Sequence, residues 1–331
     1  MLSPQIPHGL SAVSPRACQC VGMDAETYAH IAWGLMATPG DYLATGLIES
    51  VGIKEALSLV VSKDSPARVL QSLAVSDVPR GAAAQVERWR ASHRIEQVEH
   101  SQKLQSHAGI GVMGPEHPRW PGLLGDLGPL APFGLWFRGD LEALSSGRAL
   151  AVVGSRAPSG AGLAHTTAIV AGPWCEGVTI VSGGATGIDT AAHQSALTYR
   201  RPTVAVLAGG LESVYPPANT ALMSVISEAG AVISEAPCGL VMKPERFLAR
   251  NRLIAALSNA LVVVEATHRS GAMNSASHAA ALGREIAVVP GRWEDPRSQG
   301  CFRIARERGA MILTEPADVG LLLPGVSHLK S

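Results

Sequence analysis

The chain has 331 residues, 47% of them apolar and 16% charged, which excludes a disordered or collagen-like polymer. Its 35 glycines and 22 prolines are too many for a coiled coil, and with aromatics at 4% the cores must be built from Ala, Val, Leu and Ile. Lys plus Arg and Asp plus Glu stand at 27 each, so no global basic field announces a nucleic-acid binder and any polyanion must be held by a local patch.

Residues 1–20 read as a flexible lead-in interrupted by Pro4, Pro7 and Pro15, without the charged and apolar regions of a signal peptide. Of the five cysteines, Cys18 and Cys20 are close, while Cys175, Cys238 and Cys301 are scattered. That spacing fits a reducing cytosol, and a zinc site at Cys18 and Cys20 would need two further ligands. From Asp24 to about Arg94 the apolar spacing is helical. Tyr28, Ile31, Ala32 and Leu35 define a first helix that Thr38, Pro39 and Gly40 stop. Asp41 can cap a second, carrying Tyr42, Leu43, Leu47 and Ile48. A third follows Gly52 through Leu59, and further helices fit 65–73 and 81–92. The segment Ile48 to Ile53 loosely resembles a helix–hairpin–helix turn, and a packing or partner-binding bundle is the preferred reading. The polar stretch 95–108 is assigned as a linker, giving a helical domain over 1–105 and a second domain over 106–331. Residues 109–140 read as loops with short strands.

From Ala149 strands and helices alternate. Six apolar runs stand out at 150–153, 178–181, 203–207, 231–233, 261–264 and 286–289, with a seventh at 311–313. Buried apolar strands separated by helices specify a parallel sheet covered on both faces, hence an α/β, extended Rossmann-like, doubly wound domain behind the small all-helical one. No run approaches the ~20 apolar residues of a membrane span, and a cytoplasmic location is expected.

The informative residues follow the strands. Gly154, Ser155 and Arg156 follow the first; Ser182, Gly183 and Gly184, with Gly187 and Asp189, follow the second; Ser270 and Gly271 follow the fifth. In an open parallel sheet these turns share one edge, where helix N-termini offer N–H groups to an anion. A dinucleotide fingerprint and a Walker phosphate loop are both missing. Phe247, Arg250, Asn251 and Arg252 form the second cluster. Arginine forks bind phosphate oxygens, Asn251 can reach a base edge, and an exposed Phe247 can stack on a base. The alternative pairs Arg250 and Arg252 with Glu235 or Glu265 and puts Phe247 in the core. Ser182, Asp189 and His193 could be drawn as a catalytic triad, but no nucleophile elbow or metal-binding spacing accompanies them, so no catalysis is expected.

Together these motifs resemble the DNA processing protein A family (DprA, also called Smf). The matching pieces run in family order over 107–319 and also include Tyr215-Pro216, Ser234-Glu235, Glu265-Ala266, Pro290-Gly291 and Gly309-Ala310. The resemblance implies a homodimeric, non-enzymatic protein without a cofactor or metal. It implies binding of single-stranded DNA, protection of incoming DNA, and loading of the RecA recombinase in natural transformation. By motif match Arg156, Ser182, Gly183, Arg250, Asn251, Arg252 and Ser270 are implied DNA-binding residues, with Phe247 as a base contact. The winged-helix domain of many members is expected to be missing at the C-terminus. Ala208, Glu212, Asn274, Ser275 and Phe302 depart from the family pattern. The rival reading is a nucleotide-binding enzyme or sensor acting on glycosidic bonds. It is disfavoured because the turn at 182–187 has one residue too many and no glutamate on the following helix.

Overall fold

Asp24 accepts hydrogen bonds from the N–H groups of Glu26 and Thr27 and starts α1 (Ala25–Met36); Asp41 does the same through Leu43 and Ala44 for α2 (Tyr42–Val51). Only Gly52 separates α2 from α3 (Ile53–Val61), and its φ of 83° is one that glycine adopts at little cost. Ser65 starts α4 (Pro66–Leu70), followed by α5 (Ala82–Ser92) and α6 (Ile95–His107). The computed structural model describes residues 23–38, 40–62, 64–73, 79–144 and 147–324. The expected lead-in and the Cys18–Cys20 pair lie outside them; Cys175, Cys238 and Cys301 are buried free thiols.

The expected linker is instead helix α6, and the expected boundary at 105/106 falls inside it. Its buried positions, Val98, Ser101 and Gln105, follow helical spacing but are mostly polar, which hides the periodicity. Gln105 is buried because its Oε1 accepts the indole N–H of Trp136 at 3.0 Å.

A nine-stranded sheet carries the rest: β1 (Gly111–Met113), β2 (Leu135–Gly139), β3 (Ala149–Val153), β4 (Thr179–Ser182), β5 (Thr203–Leu207), β6 (Ala231–Ser234), β7 (Ala260–Val263), β8 (Glu285–Val288) and β9 (Met311–Ile312). The order is β1-β2-β6-β5-β4-β3-β7-β8-β9. The strands β3 to β9 are parallel, and β1 and β2 extend one edge antiparallel. Between them run α7 (Gly160–Ala171), α8 (Ile188–Thr198), α9 (Thr220–Ala229), α10 (Pro244–Ala256), α11 (Gly271–Ala281) and α12 (Pro296–Arg308). Alternate residues of β3 enter different cores, Leu150 and Val152 on one face and Ala151 and Val153 on the other, so both faces are covered. The helical module shares a core with the sheet: Trp33 and Trp89 pack in one cluster with Trp136, Leu207 and Val232.

The chain winds outward from β3 through β4, β5 and β6, then returns to place β7 on the other side of β3. That reversal is the topological switch point, where the loops after β3 and β7 diverge and leave a crevice outside the strand ends.

Candidate functional site

A cleft of about 630 Å³ opens at this switch point. Its walls are Gly154, Ser155 and Arg156 after β3, Thr267, Arg269 and Ser270 after β7, and Phe247, Arg250 and Asn251 from α10, with Tyr215 at the mouth. Phe247 is half-buried and not a core residue. The Arg156 guanidinium carbon lies 5.9 Å from its ring centroid, and the Tyr215 ring meets it edge-on at 5.5 Å. Tyr215 is 55% exposed. Two π faces and a cation therefore share the cleft mouth.

Pro244 occupies the first turn of α10, where its missing N–H costs nothing. The three polar residues at the other end of this helix are all buried, and they do different things. Arg250 forms part of the cleft floor. Its Nη1 donates to the carbonyl of Gly183 at 2.6 Å and to that of Val206, and its Nε donates to Asn251 Oδ1 at 3.3 Å. Burial pulls its guanidinium down to about 10, against the opposing pull of Asp189 and Glu235. Asp189 is the buried counter-charge: burial pushes its carboxyl up, while Arg250 and the N–H of Ala185 pull it back. The carboxamide of Asn251 is fixed by donation to Gly271 O at 3.3 Å and Asn274 Oδ1 at 3.1 Å, which gives the departure at Asn274 a positioning role.

Arg252 is not in the cleft. Its side chain is 4% exposed and forms a bidentate pair with the buried Glu235, at 2.7 and 2.5 Å, and its Nε donates to Leu130 O at 2.9 Å. The expectation of Arg252 as a cleft residue is therefore corrected, and the alternative pairing with Glu235 is the one observed. Two residues on from Arg250, the side chain of Arg252 leaves α10 toward the β6 end and Leu130. The other partner considered for it, Glu265, instead accepts from Ser159 N and Oγ and holds the start of α7. Ser182 and Gly183 lie beneath the cleft and do not line it. Ser182 is fully buried and donates to Val152 O at 2.7 Å. A Cβ on Gly183 would stand 2.7 Å from both Arg250 Nη2 and Asp189 Oδ2, so its lack of a side chain admits the buried pair, not a ligand.

Ser270 precedes α11 without a side-chain capping bond, and its Oγ is buried with no hydrogen-bond partner among the described residues. A hydroxyl left in that state beside a cleft can donate to a ligand oxygen. Tyr215 and Arg269 were not singled out as site residues from the sequence. Their signals were position alone: Tyr215 before a proline in the turn after β5, and Arg269 immediately before Ser270.

The triad does not assemble. His193 is fully buried. Thr203 Oγ1 donates to Ile180 O, so it must accept from His193 Nδ1–H at 2.8 Å, and the bare Nε2 is buried without a partner among the described residues. Burial, with Arg250 second, holds this imidazole down at about 3. It is a neutral structural group.

These features define a class: a Rossmann-like protein with an arginine- and aromatic-lined binding cleft at its switch point. The family model of DNA recombination-mediator protein A matches residues 111–323, and the chain belongs to that family. It is 44% identical to a DprA homologue of Mycobacterium tuberculosis over 191 residues, 57% of this chain and 49% of that one. The crystal structure of DNA processing protein A from Streptococcus pneumoniae superposes with a TM-score of 0.70 at 29% identity, covering 90% of this chain and 97% of that one. A structure of DNA processing protein A from Helicobacter pylori, described for its single-stranded DNA binding mode, gives a TM-score of 0.58 at 27% identity, covering 64% and 94%. The chain spans about half the length of several curated relatives it matches. No helix among the described residues is long and apolar enough to cross a membrane.

Proposed function

We propose that this chain binds single-stranded DNA in the switch-point cleft, acts on it without chemistry, and passes it to the RecA recombinase during uptake of DNA, working as a homodimer. The observation that carries the reading is the Arg156–Phe247–Tyr215 cluster beside the unpartnered Ser270 hydroxyl. It offers a base a stacking face and a phosphate both a cation and a donor, and unpaired bases alone present their faces for stacking. Arg250 and Asn251 form the floor of this surface. The full burial of His193, which keeps its imidazole neutral and off the cleft wall, supports a non-catalytic role. The exposed Ile312 on edge strand β9 supports pairing with a second copy. DNA handling fits the family membership and the single-strand binding described for the Helicobacter pylori structure.

The test is fluorescence anisotropy with a labelled 20-mer of oligothymidine, against duplex of the same length and free nucleotides. Preference for the single strand is expected. Tight nucleotide binding with no single-strand affinity would replace this reading with the nucleotide enzyme or sensor.

A further inference from the structure

Of the six tryptophans, Trp33, Trp89 and Trp136 are fully buried, whereas Trp293 is 81% exposed. Burying an indole is among the largest single gains available to a fold, so one left in water is not there for packing. Trp293 lies on the loop between β8 and α12, at the same edge of the sheet as the cleft. The strands β3, β7 and β8 are consecutive neighbours, about 4.8 Å apart. The loop after β3 supplies Arg156 and the loop after β7 supplies Arg269 and Ser270; the next one outward supplies Arg292 and Trp293.

The loop is tied to both neighbours. Ala266 N donates to Arg297 O at 2.7 Å and Gly300 N to Ala266 O at 2.7 Å, so the start of α12 is fastened to the loop after β7 that lines the cleft. Asp295 caps α12, Asp295 N donates to Arg292 O, and the Gln299 amide donates to the carbonyl of Trp293. A side chain on Gly291 would collide with Ser298, which closes the loop against the helix. The backbone is thus held by its own hydrogen bonds while the indole projects into solvent, so little order need be created when a ligand arrives. Arg292, 87% exposed, has only a loose 3.7 Å contact with the equally exposed Glu294, a pair easily given up for a phosphate.

We propose that Trp293 is a second base-stacking platform, with Arg292 as its phosphate contact, for the DNA strand as it leaves the cleft across β7 and β8. This extends the proposed single-strand binding to a site outside the cleft and rests on that reading.

The experiment compares wild type, Trp293→Ala, Trp293→Phe and Arg292→Ala in anisotropy titrations with a labelled 20-mer of oligothymidine over a salt series. Light scattering on each variant monitors assembly. Trp293→Ala should weaken binding roughly 5- to 150-fold with an unchanged salt slope, and Trp293→Phe should restore most of it. Arg292→Ala should lower the salt slope by about 0.7. Because the side chain is exposed, these variants should melt with the wild type. Wild-type affinity in Trp293→Ala, while the wild type binds, would overturn the platform and leave the cleft reading standing. Loss of self-association at unchanged DNA affinity would do the same, placing Trp293 in a protein interface. A wild type that binds no single strand would remove the cleft reading and the platform together.

Discussion

Arg252→Ala should destabilise the protein without touching the cleft. The substitution removes a guanidinium that makes two bonds to Glu235, at 2.7 and 2.5 Å, and two to the carbonyls of Leu130 and Ala249. Both side chains of the pair are under 10% exposed, so solvent does not screen them and the Glu235 carboxylate would be left buried without its counter-charge. Breaking a buried pair in this way costs about 3–5 kcal/mol. For a chain of this size that corresponds to a fall in melting temperature of roughly 4–7 °C. The contrast is the double change Arg252→Met with Glu235→Leu, which removes both charges and should recover much of the loss. The assays are thermal melting and single-strand anisotropy below the transition, with affinity corrected to the folded fraction. The structure predicts a large melting shift and near-wild-type affinity. An Arg252→Ala protein that melts with the wild type but loses DNA affinity would refute the placement and return this arginine to the binding surface.

Phe247→Ala should weaken single-strand binding by about 1–3 kcal/mol at an unchanged salt slope; an unaltered titration would exclude the ring from base contact. Gly183→Ala forces a methyl against the buried Arg250–Asp189 pair and should cost about 1–3 kcal/mol of stability in urea unfolding; a neutral outcome would mean that the pair can move. The His193 imidazole, held at about 3 against an ordinary 6.5, stays neutral in the folded state while unfolded chains take up a proton below pH 6.5. Its contribution is therefore complete above pH 6.5 and declines as pH falls toward 3, by up to about 1.4 kcal/mol per unit. Asp189 has the opposite sign: with its folded value raised, its contribution is full below about 3.8 and fades as pH rises through that folded value. Urea midpoints between pH 6.5 and 5 should thus fall more steeply in wild type than in His193→Gln, and parallel slopes would contradict the assignment.

The strands of the parallel sheet were legible because each is a short run of Val, Ile, Leu and Ala bounded by a turn, and all seven expected runs are strands. The cap at Asp41 was legible for a similar reason, because one side chain does the whole job locally; Asp24 and Ser65 were legible only as the starts of helical stretches, and the structure makes them caps too. Helix α6 was not, because what buries it is a long-range bond from Trp136 to Gln105, which no periodicity encodes. The same limit governed the site. The Gly-rich turns and the Phe247–Arg252 segment marked the sheet edge at which the cleft opens. How each arginine is used depended on partners more than a dozen residues away: Glu235 and Leu130 claim Arg252, and Gly183 and Val206 claim Arg250. Tyr215 entered the cleft through the fold of the loop after β5.

Arg156 and Arg269 both line the cleft, and under the proposed function both neutralise phosphates of the bound single strand. The most direct measurement is the salt dependence of binding to a 20-mer of oligothymidine by wild type, Arg156→Ala, Arg269→Ala and the double variant. Each lost contact should reduce the slope of log affinity against log salt by about 0.7, and the double variant by about twice that, while all four proteins melt together. Four parallel slopes from folded proteins would contradict the account.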